Sequence, residues 1–416
     1  MRVAIAALGT RGDVLPFVVL GRALREAGHD VLVSTMERFR GLVEGASLGF
    51  HLLPGDPADV FAGERIEVSP WRPLQHLERV HAAVSRLVDQ VGPDHVLRAW
   101  GDRDCVILTS TTTFSYDVAQ ELGARCAAVV MTPAIATGAF AHPVLTPGLQ
   151  LGRQGNIASW LLAERLTRQT FKEPLRPAAR RARGLPAFAL ATDRSGFQWP
   201  PFPLLHAFSP QVVPRPTDWP ARVSVTGWLL PELSDQPLPD YVERFLAGGP
   251  APLYVGFGSM PIPDPDGLAE TIVAALRRTG QRAIVCGPAL ARAPALQRED
   301  SVLTADELPH ERLLHRVGAI VHHGGSGSVG AALRSGRPTV VIPFVFDQFF
   351  WGWRVARLGA GPRPLPFRRL SADRLTEAVS RVVSGRYEEA ARRLGELISA
   401  EDATLRAVAQ IEGADL

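Results

Sequence analysis

The sequence predicts two α/β domains, each a doubly wound parallel sheet of Rossmann-like type, facing each other across a cleft. Three observations predict this class. Short apolar runs of strand length alternate with stretches of helical periodicity, the alternation occurs twice along the 416 residues, and a proline-rich linker at 221–250 separates the two series. Two strands that flank a helix in this way pair in parallel, with the helix on one face of the sheet.

The first series, residues 1–220, begins with a run that is apolar throughout, as expected of a strand buried on both faces. Apolar residues at helical spacing then predict a helix that Gly28 ends as a C-cap. From 136 to 220 the pattern is irregular and rich in proline. The elements predicted here are strands at 3–8, 29–35, 105–110 and 126–131 and helices at 17–27 and 115–122.

The second series, residues 251–397, repeats this architecture without repeating the sequence, and the stretch 398–416 predicts a final helix. The elements predicted in the second series are a strand and turn at 252–260, a helix at 268–280, a strand at 281–288, a strand and turn at 319–328, a helix at 329–336 and a strand at 338–346.

Composition argues against several classes of protein. The net charge is only +3, and the densest basic cluster, RPAARRAR at 176–183, is typical of a solvated helix face, so nucleic-acid binding is not expected. Cys105, Cys126 and Cys286 form no CxxC pair, which argues against disulfides or zinc and favours a reducing cytoplasm. Neither a signal peptide nor a run of about 18 apolar residues is found, so no transmembrane segment is expected, whereas peripheral membrane contact stays open.

The stretch AIVHHGGSGSVGAALRSG at 319–336 predicts a strand, a glycine-rich turn and a helix that begins at about Ser328. Glycines let the backbone approach a phosphate, and the N–H groups and dipole of a helix N-terminus attract anions. Ser326 and Ser328 add hydroxyl donors, and His323 can donate to a phosphate oxygen. The alternative is a plain turn with Ser328 as N-cap and His322 as a core histidine. The stretch lacks the acidic residue of a dinucleotide fingerprint and the GK[ST] ending of a P-loop.

Asp347 and Gln348, in FVFDQFFWG, stand at the carboxyl end of a predicted parallel strand, where ligands of open α/β sheets bind. A carboxylate beside an amide can bind sugar hydroxyls, and the flanking aromatic rings can cover the apolar face of a sugar. The alternative is an N-cap aspartate followed by an aromatic run that faces the core.

Two further turns follow predicted strands. Gly258 and Ser259, in YVGFGSM, could also contact phosphate, although a plain turn explains them as well. Asp13, in GTRGDVLP, lies in the loop before the first predicted helix. Asp13 either complements the helix dipole or acts as a general base, because a loop carboxylate is ionised at neutral pH and accepts a proton from a hydroxyl.

With these four motifs in this order, the chain resembles a GT-B glycosyltransferase of the UDP-glycosyltransferase family (family 1). The resemblance covers essentially the whole length and is strongest over 251–380. Within the family, GTRGD at the start, HHGGxG in the turn and the DQxFWG-like string are similar to the branch of sterol glucosyltransferases and antibiotic glycosyltransferases. The resemblance implies an enzyme that moves a hexose from a nucleotide sugar to an acceptor hydroxyl.

The resemblance also implies roles for individual residues. Asp13 stands where many members carry a histidine base, and it is expected to deprotonate the acceptor hydroxyl, which attacks the anomeric carbon with inversion. The co-substrate is expected to be a UDP- or TDP-sugar, with no cofactor and no metal. Glu307 stands where plant members carry the tryptophan that stacks on uracil, so the identity of the base stays open. The donor-binding residues implied are Arg11, Gly258, Ser259, Leu308, His310, His323, Gly324, Gly325, Ser326, Gly327, Ser328, Asp347 and Gln348.

The amino-terminal domain, 1–220, is expected to bind the acceptor, the domain at 251–397 the nucleotide sugar, and the helix at 398–416 is expected to cross back to the first domain. An aromatic and apolar lining favours a lipophilic acceptor such as a polyketide, a terpenoid or a sterol. Core packing is the alternative for each member of that lining. The acceptor-binding candidates are Phe61, Trp71, Met131, Phe140 and Trp351.

Other functions remain as alternatives. A catalytically inactive relative would bind a sugar nucleotide and act as a partner protein, whereas an epimerase would be expected to lack the DQ pair followed by FWG. A nicotinamide-dependent oxidoreductase is disfavoured by the missing fingerprint. Two DxD strings, 102–104 and 264–266, are typical of metal-dependent transferases of another fold, but both lie in predicted turns and are attributed to chance.

Overall fold

The structure is a computed structural model that describes residues 1–54, 93–109, 115–167, 191–192, 198–199, 202–232 and 237–413. The chain divides into two compact units. Unit 1 comprises Met1–Phe208, Arg215–Leu229 and Asp402–Leu416, and unit 2 comprises Ser209–Pro214 and Leu230–Glu401.

Unit 1 contains nine of the described strands and five of the helices that precede unit 2 in the chain. The strands are β1 (Arg2–Ala6), β2 (Asp30–Thr35), β3 (Gly49–Leu52), β4 (Cys105–Thr109), β5 (Arg125–Val130), β6 (Ala191–Thr192), β7 (Gln198–Trp199), β8 (Leu204–His206) and β9 (Val223–Val225). The helices are α1 (Arg11–Glu26), α2 (Arg40–Gly45), α3 (Pro93–Trp100), α4 (Ser115–Leu122) and α5 (Gly152–Thr167), with a 3-10 turn at Glu37–Phe39.

Seven of these strands form one parallel sheet in the order β3-β2-β1-β4-β5-β8-β9, and β6 pairs with β7 in a separate antiparallel ribbon. Strand β4 and residues 3–6 of β1 are buried on both faces, as their unbroken apolar runs predict. The strand order reverses between β1 and β4. Ligands of open α/β sheets bind at the carboxyl end of the strands beside such a reversal.

Helix α1 begins at Arg11, six residues before the predicted start at 17. The reason is a capping interaction, because the side chain of Asp13 accepts from the backbone N–H of Thr10 at 2.7 Å and from its hydroxyl at 2.9 Å. Pro16 therefore lies inside the helix. Asp13 belongs to the first helical turn and not to a loop, which corrects the sequence-based placement.

Unit 2 contains the remaining five strands and nine further helices of the described residues. The strands are β10 (Leu253–Gly256), β11 (Ala283–Cys286), β12 (Val302–Ala305), β13 (Ala319–His322) and β14 (Thr339–Val341). The helices are α6 (Asp240–Ala247), α7 (Pro265–Thr279), α8 (Pro288–Ala291), α9 (Pro294–Gln297), α10 (His310–Leu313), α11 (Ser326–Arg334), α12 (Gln348–Arg357), α13 (Ala372–Val383) and α14 (Glu388–Ser399), with 3-10 turns at Leu314–Arg316 and Phe367–Arg369.

The five strands of unit 2 form a parallel sheet in the order β12-β11-β10-β13-β14, which reverses between β10 and β13. Strand β14 ends at Val341, so residues 342–346 leave the sheet earlier than predicted. The side chain of Gln348 accepts from the backbone N–H groups of Phe344 and Val345, and these two groups are thereby withdrawn from any strand ladder.

The segment predicted as a linker, 221–250, is divided between the two units. Strand β9 lies within it and pairs in parallel with β8, so this part extends the first sheet. Helix α6 also lies within it, and Val242 is fully buried in a core cluster of unit 2 together with Leu238. Three-residue strands such as β8 and β9 are too short to stand out in a proline-rich sequence.

A last helix, α15 (Ala403–Glu412), returns the chain to unit 1, where it packs against α1. The guanidinium of Arg125 donates to the carbonyl of Ile411 at 3.4 Å, and His29 Nε2 lies 2.9 Å from a carboxylate oxygen of Glu412. Helix α14 extends to Ser399, so the final helix is shorter than the predicted 398–416.

Candidate functional site

The site in unit 2 lies at the reversal of its sheet, where β10 and β13 are neighbours. Gly256 and His322 end these two strands and are partners in the pairing register. The turns that follow are in contact, because a Cβ added to Gly258 would lie 3.3 Å from Cε1 of His323. Gly258 has φ +58°, a conformation that favours glycine. The amide of Gln348 also reaches Met260 in the turn after β10, so the structure brings together three of the four predicted motifs.

His322 is a core histidine, as in the alternative interpretation of the stretch 319–336. Its side chain is 2% exposed, and its Nδ1 accepts from the backbone N–H of Gly324 at 3.0 Å, so the ring holds the turn. Burial, together with the neighbouring His323, lowers the pKa of His322 to about 3. The ring is therefore neutral at pH 7, with its proton on Nε2.

His323 is partly exposed and packs between two glycine backbones. A Cβ at Gly325 would lie only 2.6 Å from its Nε2, so the position of the ring favours glycine there, whereas a Cβ at Gly258 would make a tight contact at 3.3 Å. Burial lowers the pKa of His323 to about 4. The neutral imidazole carries one N–H donor, and its buried Nδ1 has no hydrogen-bond partner within the described part of the chain.

Helix α11 begins at Ser326, two residues before the predicted start, and its N-cap, Gly325, has no side chain with which to cap it. Ser328 is therefore not the N-cap but lies in the first turn. Gly324 has φ +90°, and a Cβ there would lie 2.6 Å from Cγ1 of Val341. A Cβ at Gly327 would meet nothing within 4 Å. The first N–H groups of a helix lack acceptors within the helix, so the start of α11 offers the kind of donors that bind anions at helix N-termini.

Asp347 is partly exposed and lies at the start of α12. The indole N–H of Trp351 donates to its Oδ2 at 2.8 Å. Trp351 is 0% exposed, so it is a core residue that orients Asp347. This contradicts its prediction as an acceptor-binding residue, because its ring faces the interior from the second turn of α12.

Gln348 is 5% exposed, and its amide oxygen accepts from the backbone N–H groups of Phe344 and Val345 at 2.8 and 3.1 Å. Its amide nitrogen donates to Sδ of Met260 at 3.3 Å. Gln348 therefore shapes the loop before Asp347, whereas the sequence predicted that it contacts a sugar. That buried, loop-forming role has no signal in the sequence.

Leu308 and His310 follow Glu307 and were predicted to bind the donor at its nucleobase end. Leu308 is buried in the core, and His310 is exposed at the start of α10. The hydroxyl of Tyr254 lies 2.6 Å from Nε2 of His310. Burial raises the pKa of Tyr254 well above its usual value, so the phenol stays protonated beside the imidazole. Tyr254 was not among the predicted site residues.

In unit 1, Asp13 lies near the reversal of the first sheet, in the first turn of α1, which follows β1. Its carboxylate is partly exposed and holds Thr10, as described above. Gly9 has φ +134°, and a Cβ there would lie 2.4 Å from Oδ2 of Asp13, so this turn requires glycine. Arg11 begins the same helix and is exposed.

Two family descriptions match the chain. Residues 3–109 match the Glycosyltransferase family 28 N-terminal domain, and residues 271–412 match the Erythromycin biosynthesis protein CIII-like, C-terminal domain.

The relatives of known name are glycosyltransferases. The chain is 29% identical over 98% of its length to Sterol 3-beta-glucosyltransferase UGT80B1 of Arabidopsis thaliana. It spans about two thirds of the length of this plant enzyme, 67%, and 64% of a second one. It is 33% identical over 99% of its length to O-mycaminosyltylonolide 6-deoxyallosyltransferase of Streptomyces fradiae, of which it covers 97%. The chain belongs to this glycosyltransferase family.

The fold of this glycosyltransferase is GT-B, as predicted. The structure superposes on SsfS6, a Streptomyces sp. SF2575 glycosyltransferase complexed with thymidine diphosphate, with a TM-score of 0.65 at 21% identity over 100% of both chains. Each of the two parallel-sheet units corresponds to one Rossmann-like domain.

The predicted acceptor-binding residues differ in how exposed they are. Met131 follows β5 directly and is partly exposed. Phe140 is 7% exposed and packs against Trp160 at 6.2 Å between ring centroids, so it is a core residue and the prediction for it is wrong. Phe61 and Trp71 lie outside the described residues. Sequence reasoning missed a set of apolar side chains that are 39–54% exposed: Val144, Leu145, Leu149, Leu151, Leu161 and Leu162.

The two DxD strings have structural roles. Asp102 and Asp104 both pair with the guanidinium of Arg2, at 3.2 and 2.9 Å. Asp264 caps α7 by accepting from the N–H of Gly267. None of the helices in the described ranges is both long and apolar enough to cross a membrane.

Proposed function

We propose that this glycosyltransferase moves a hexose from a UDP- or TDP-sugar to a hydroxyl of a lipophilic small molecule, with inversion at the anomeric carbon. The observation that carries the proposal is the turn after β13, in which an uncapped helix N-terminus, open space at Gly327 and a neutral His323 come together at the reversal of the sheet. Such a turn suits a diphosphate.

The charge of the leaving diphosphate is met by fixed dipoles of unit 2. The N–H groups of the first turn of α11 and the helix dipole favour negative charge, and the imidazole N–H of His323 adds one donor. These groups are already ordered by the glycine turn, so little reorganisation accompanies the departure of the diphosphate. The sugar nucleotide is the co-substrate, and the proposed reaction uses no resident cofactor.

Asp347 is proposed to bind hydroxyls of the donor sugar. The hydrogen bond from Trp351 orients the carboxylate, which is partly exposed, and carboxylate oxygens accept from sugar hydroxyls. Gln348 supports this geometry indirectly by fixing residues 344 and 345. His310, oriented by Tyr254, is proposed to lie at the nucleobase end.

Asp13 is proposed as the general base. The acceptor hydroxyl gives its proton to the Asp13 carboxylate while its oxygen forms a bond to the anomeric carbon and the bond from that carbon to the diphosphate oxygen breaks. Attack opposite the leaving group inverts the configuration. The hydrogen bonds from Thr10 orient the carboxylate in the first turn of α1.

The proposed acceptor is lipophilic. Two named relatives glycosylate a sterol and a tylonolide, according to their names, and unit 1 exposes apolar side chains over residues 144–162. Met131, at the carboxyl end of β5, is a further candidate contact. We propose a reducing cytoplasm as the location, because the sequence has three cysteines and no CxxC pair.

The experiment is thermal unfolding with UDP, TDP, UDP-glucose and TDP-glucose, combined with a product assay on a panel of sterols and polyketides. Ligand at about 100 times its Kd stabilises the protein by ~2.7 kcal/mol, which is readily seen. We expect Asp347→Asn to lose the added stabilisation by the sugar, and the exposed Asp373→Asn on α13 to keep it. Binding of nucleotide sugar without any transfer or slow hydrolysis would favour the inactive relative, and no stabilisation by any of the four would refute the donor site.

A further inference from the structure

Phe346 has an unfavourable backbone conformation. It is one of two described residues other than glycine with positive φ, at +52°; the other is Ser47. A Cβ is crowded against the following carbonyl in this left-handed region, and the conformation is uncommon for a bulky side chain. Phe346 immediately precedes Asp347.

The loop around Phe346 is fixed on both sides. On one side, Gln348 accepts from the N–H groups of Phe344 and Val345, and the Phe344 ring stacks on Phe367 with centroids 4.2 Å apart. On the other side, Asp347 starts α12 and receives the hydrogen bond from Trp351. The chain must reverse between these two fixed points, and Phe346 is the residue that does so. The strain is therefore imposed by the structure that positions Asp347.

The side chain of Phe346 is 47% exposed, although a phenyl ring is stabilised by burial. Glycine would relieve the backbone strain at this position, and a polar side chain would suit the solvent better than phenylalanine. Strained residues with such features cluster at ligand sites, where the surrounding structure maintains them.

We propose that Phe346 is a sugar-contacting residue, whose ring lies against the C–H-rich face of the donor hexose while Asp347 takes its hydroxyls. An aromatic face and a carboxylate on adjacent residues match the apolar and polar surfaces of one hexose. This inference rests on the proposed function. Phe346 is expected to contribute to the affinity for the donor sugar and not to the affinity for the nucleoside diphosphate.

The test is calorimetric titration of the wild type, Phe346→Ala and Phe346→Gly with UDP, UDP-glucose, TDP and TDP-glucose. We expect both variants to bind the sugar nucleotide about threefold to tenfold more weakly and the nucleoside diphosphate with unchanged Kd. Tyr241→Ala, which removes another partly exposed aromatic ring of unit 2, is expected to change neither Kd. Phe346→Gly is expected to unfold at a higher temperature than Phe346→Ala, because only alanine keeps the strained β-carbon.

The outcomes separate this inference from the proposed function. If the wild type binds none of the four ligands, the proposed donor site fails and the role of Phe346 fails with it. If the wild type binds and both variants hold UDP-glucose and TDP-glucose as tightly, the donor site stands and the sugar contact is refuted. If the variants bind the nucleoside diphosphate and the sugar nucleotide more weakly by the same factor, the sugar contact is also refuted.

Discussion

Replacing Gly327 by alanine separates the stability of helix α11 from its ability to bind an anion. The residue is second in the helix, and an added Cβ meets nothing within 4 Å. Alanine is favoured over glycine in helices by about 0.5–1 kcal/mol, so the unfolding midpoint is expected to rise by roughly 1–4 °C. The new methyl group occupies the space that we assign to the diphosphate. We therefore expect the affinity for UDP and TDP to fall roughly tenfold, or about 1.4 kcal/mol.

Gly324→Ala is the matched variant in the same turn. Its Cβ would lie 2.6 Å from Cγ1 of Val341 and 3.0 Å from the carbonyl oxygen of Gln348, at φ +90°. The left-handed conformation costs about 1–2 kcal/mol and overpacking costs about 1–3 kcal/mol, so this variant is expected to lose roughly 2–5 kcal/mol of stability. Stability and affinity fall together here, whereas they move in opposite directions in Gly327→Ala.

Both variants are assayed by thermal unfolding without ligand and by calorimetric titration with UDP and TDP. Wild-type affinity in a stabilised Gly327→Ala would show that no diphosphate approaches this end of α11, and the reasoning from the helix N-terminus would be refuted. A loss of stability in Gly327→Ala would show that the added methyl group meets neighbouring atoms, and would refute the inference that the space beside Gly327 is open.

Three further perturbations test other parts of the site. Asp13→Asn is expected to lower kcat by about 10²- to 10⁴-fold with unchanged affinity for the sugar nucleotide, measured by initial rates and titration; a kcat within threefold of wild type would exclude a general base. Trp351→Phe removes the hydrogen bond to Asp347, which is expected to cost about 1.5–3 kcal/mol of stability in urea unfolding and to raise the KM for donor more than the Kd for UDP or TDP. Burial lowers the pKa values of His322 and His206 to about 3, below the unfolded value of about 6.5, so both contribute stability above pH 6.5 that is lost as pH falls towards 3. Urea unfolding at pH 7, 5.5 and 4.5 should show a falling midpoint, and a flat midpoint would contradict neutral buried rings.

Several elements could be predicted because their signal is local. Strands β1, β4 and β13 are short apolar runs buried on both faces, and glycine-rich turns follow two of them. The start of α1 was missed because the capping role of Asp13 and Thr10 depends on the geometry of the turn, and Pro16 suggested a later start. Strands β8 and β9 were missed because three residues carry no periodicity.

Side-chain direction explains most of the errors at the site. Asp347, Gln348 and Trp351 are close in sequence, and all three were predicted to face ligands. The structure turns Trp351 into the core and uses the amide of Gln348 to hold its own loop, while Asp347 stays partly exposed. These directions depend on where α12 begins and on which neighbours surround it.

The sequence by itself determined that the chain forms two parallel α/β units with a glycine-rich turn before a helix in the second, because hydrophobic period and glycine placement act over a few residues. Only the tertiary structure decided that the turns carrying Gly258 and His323 touch, since β10 and β13, whose paired residues are 66 positions apart, become neighbours in the sheet. It also decided the positive φ of Phe346, because the side chains of Gln348 and Trp351, as packed in the fold, fix both ends of one loop.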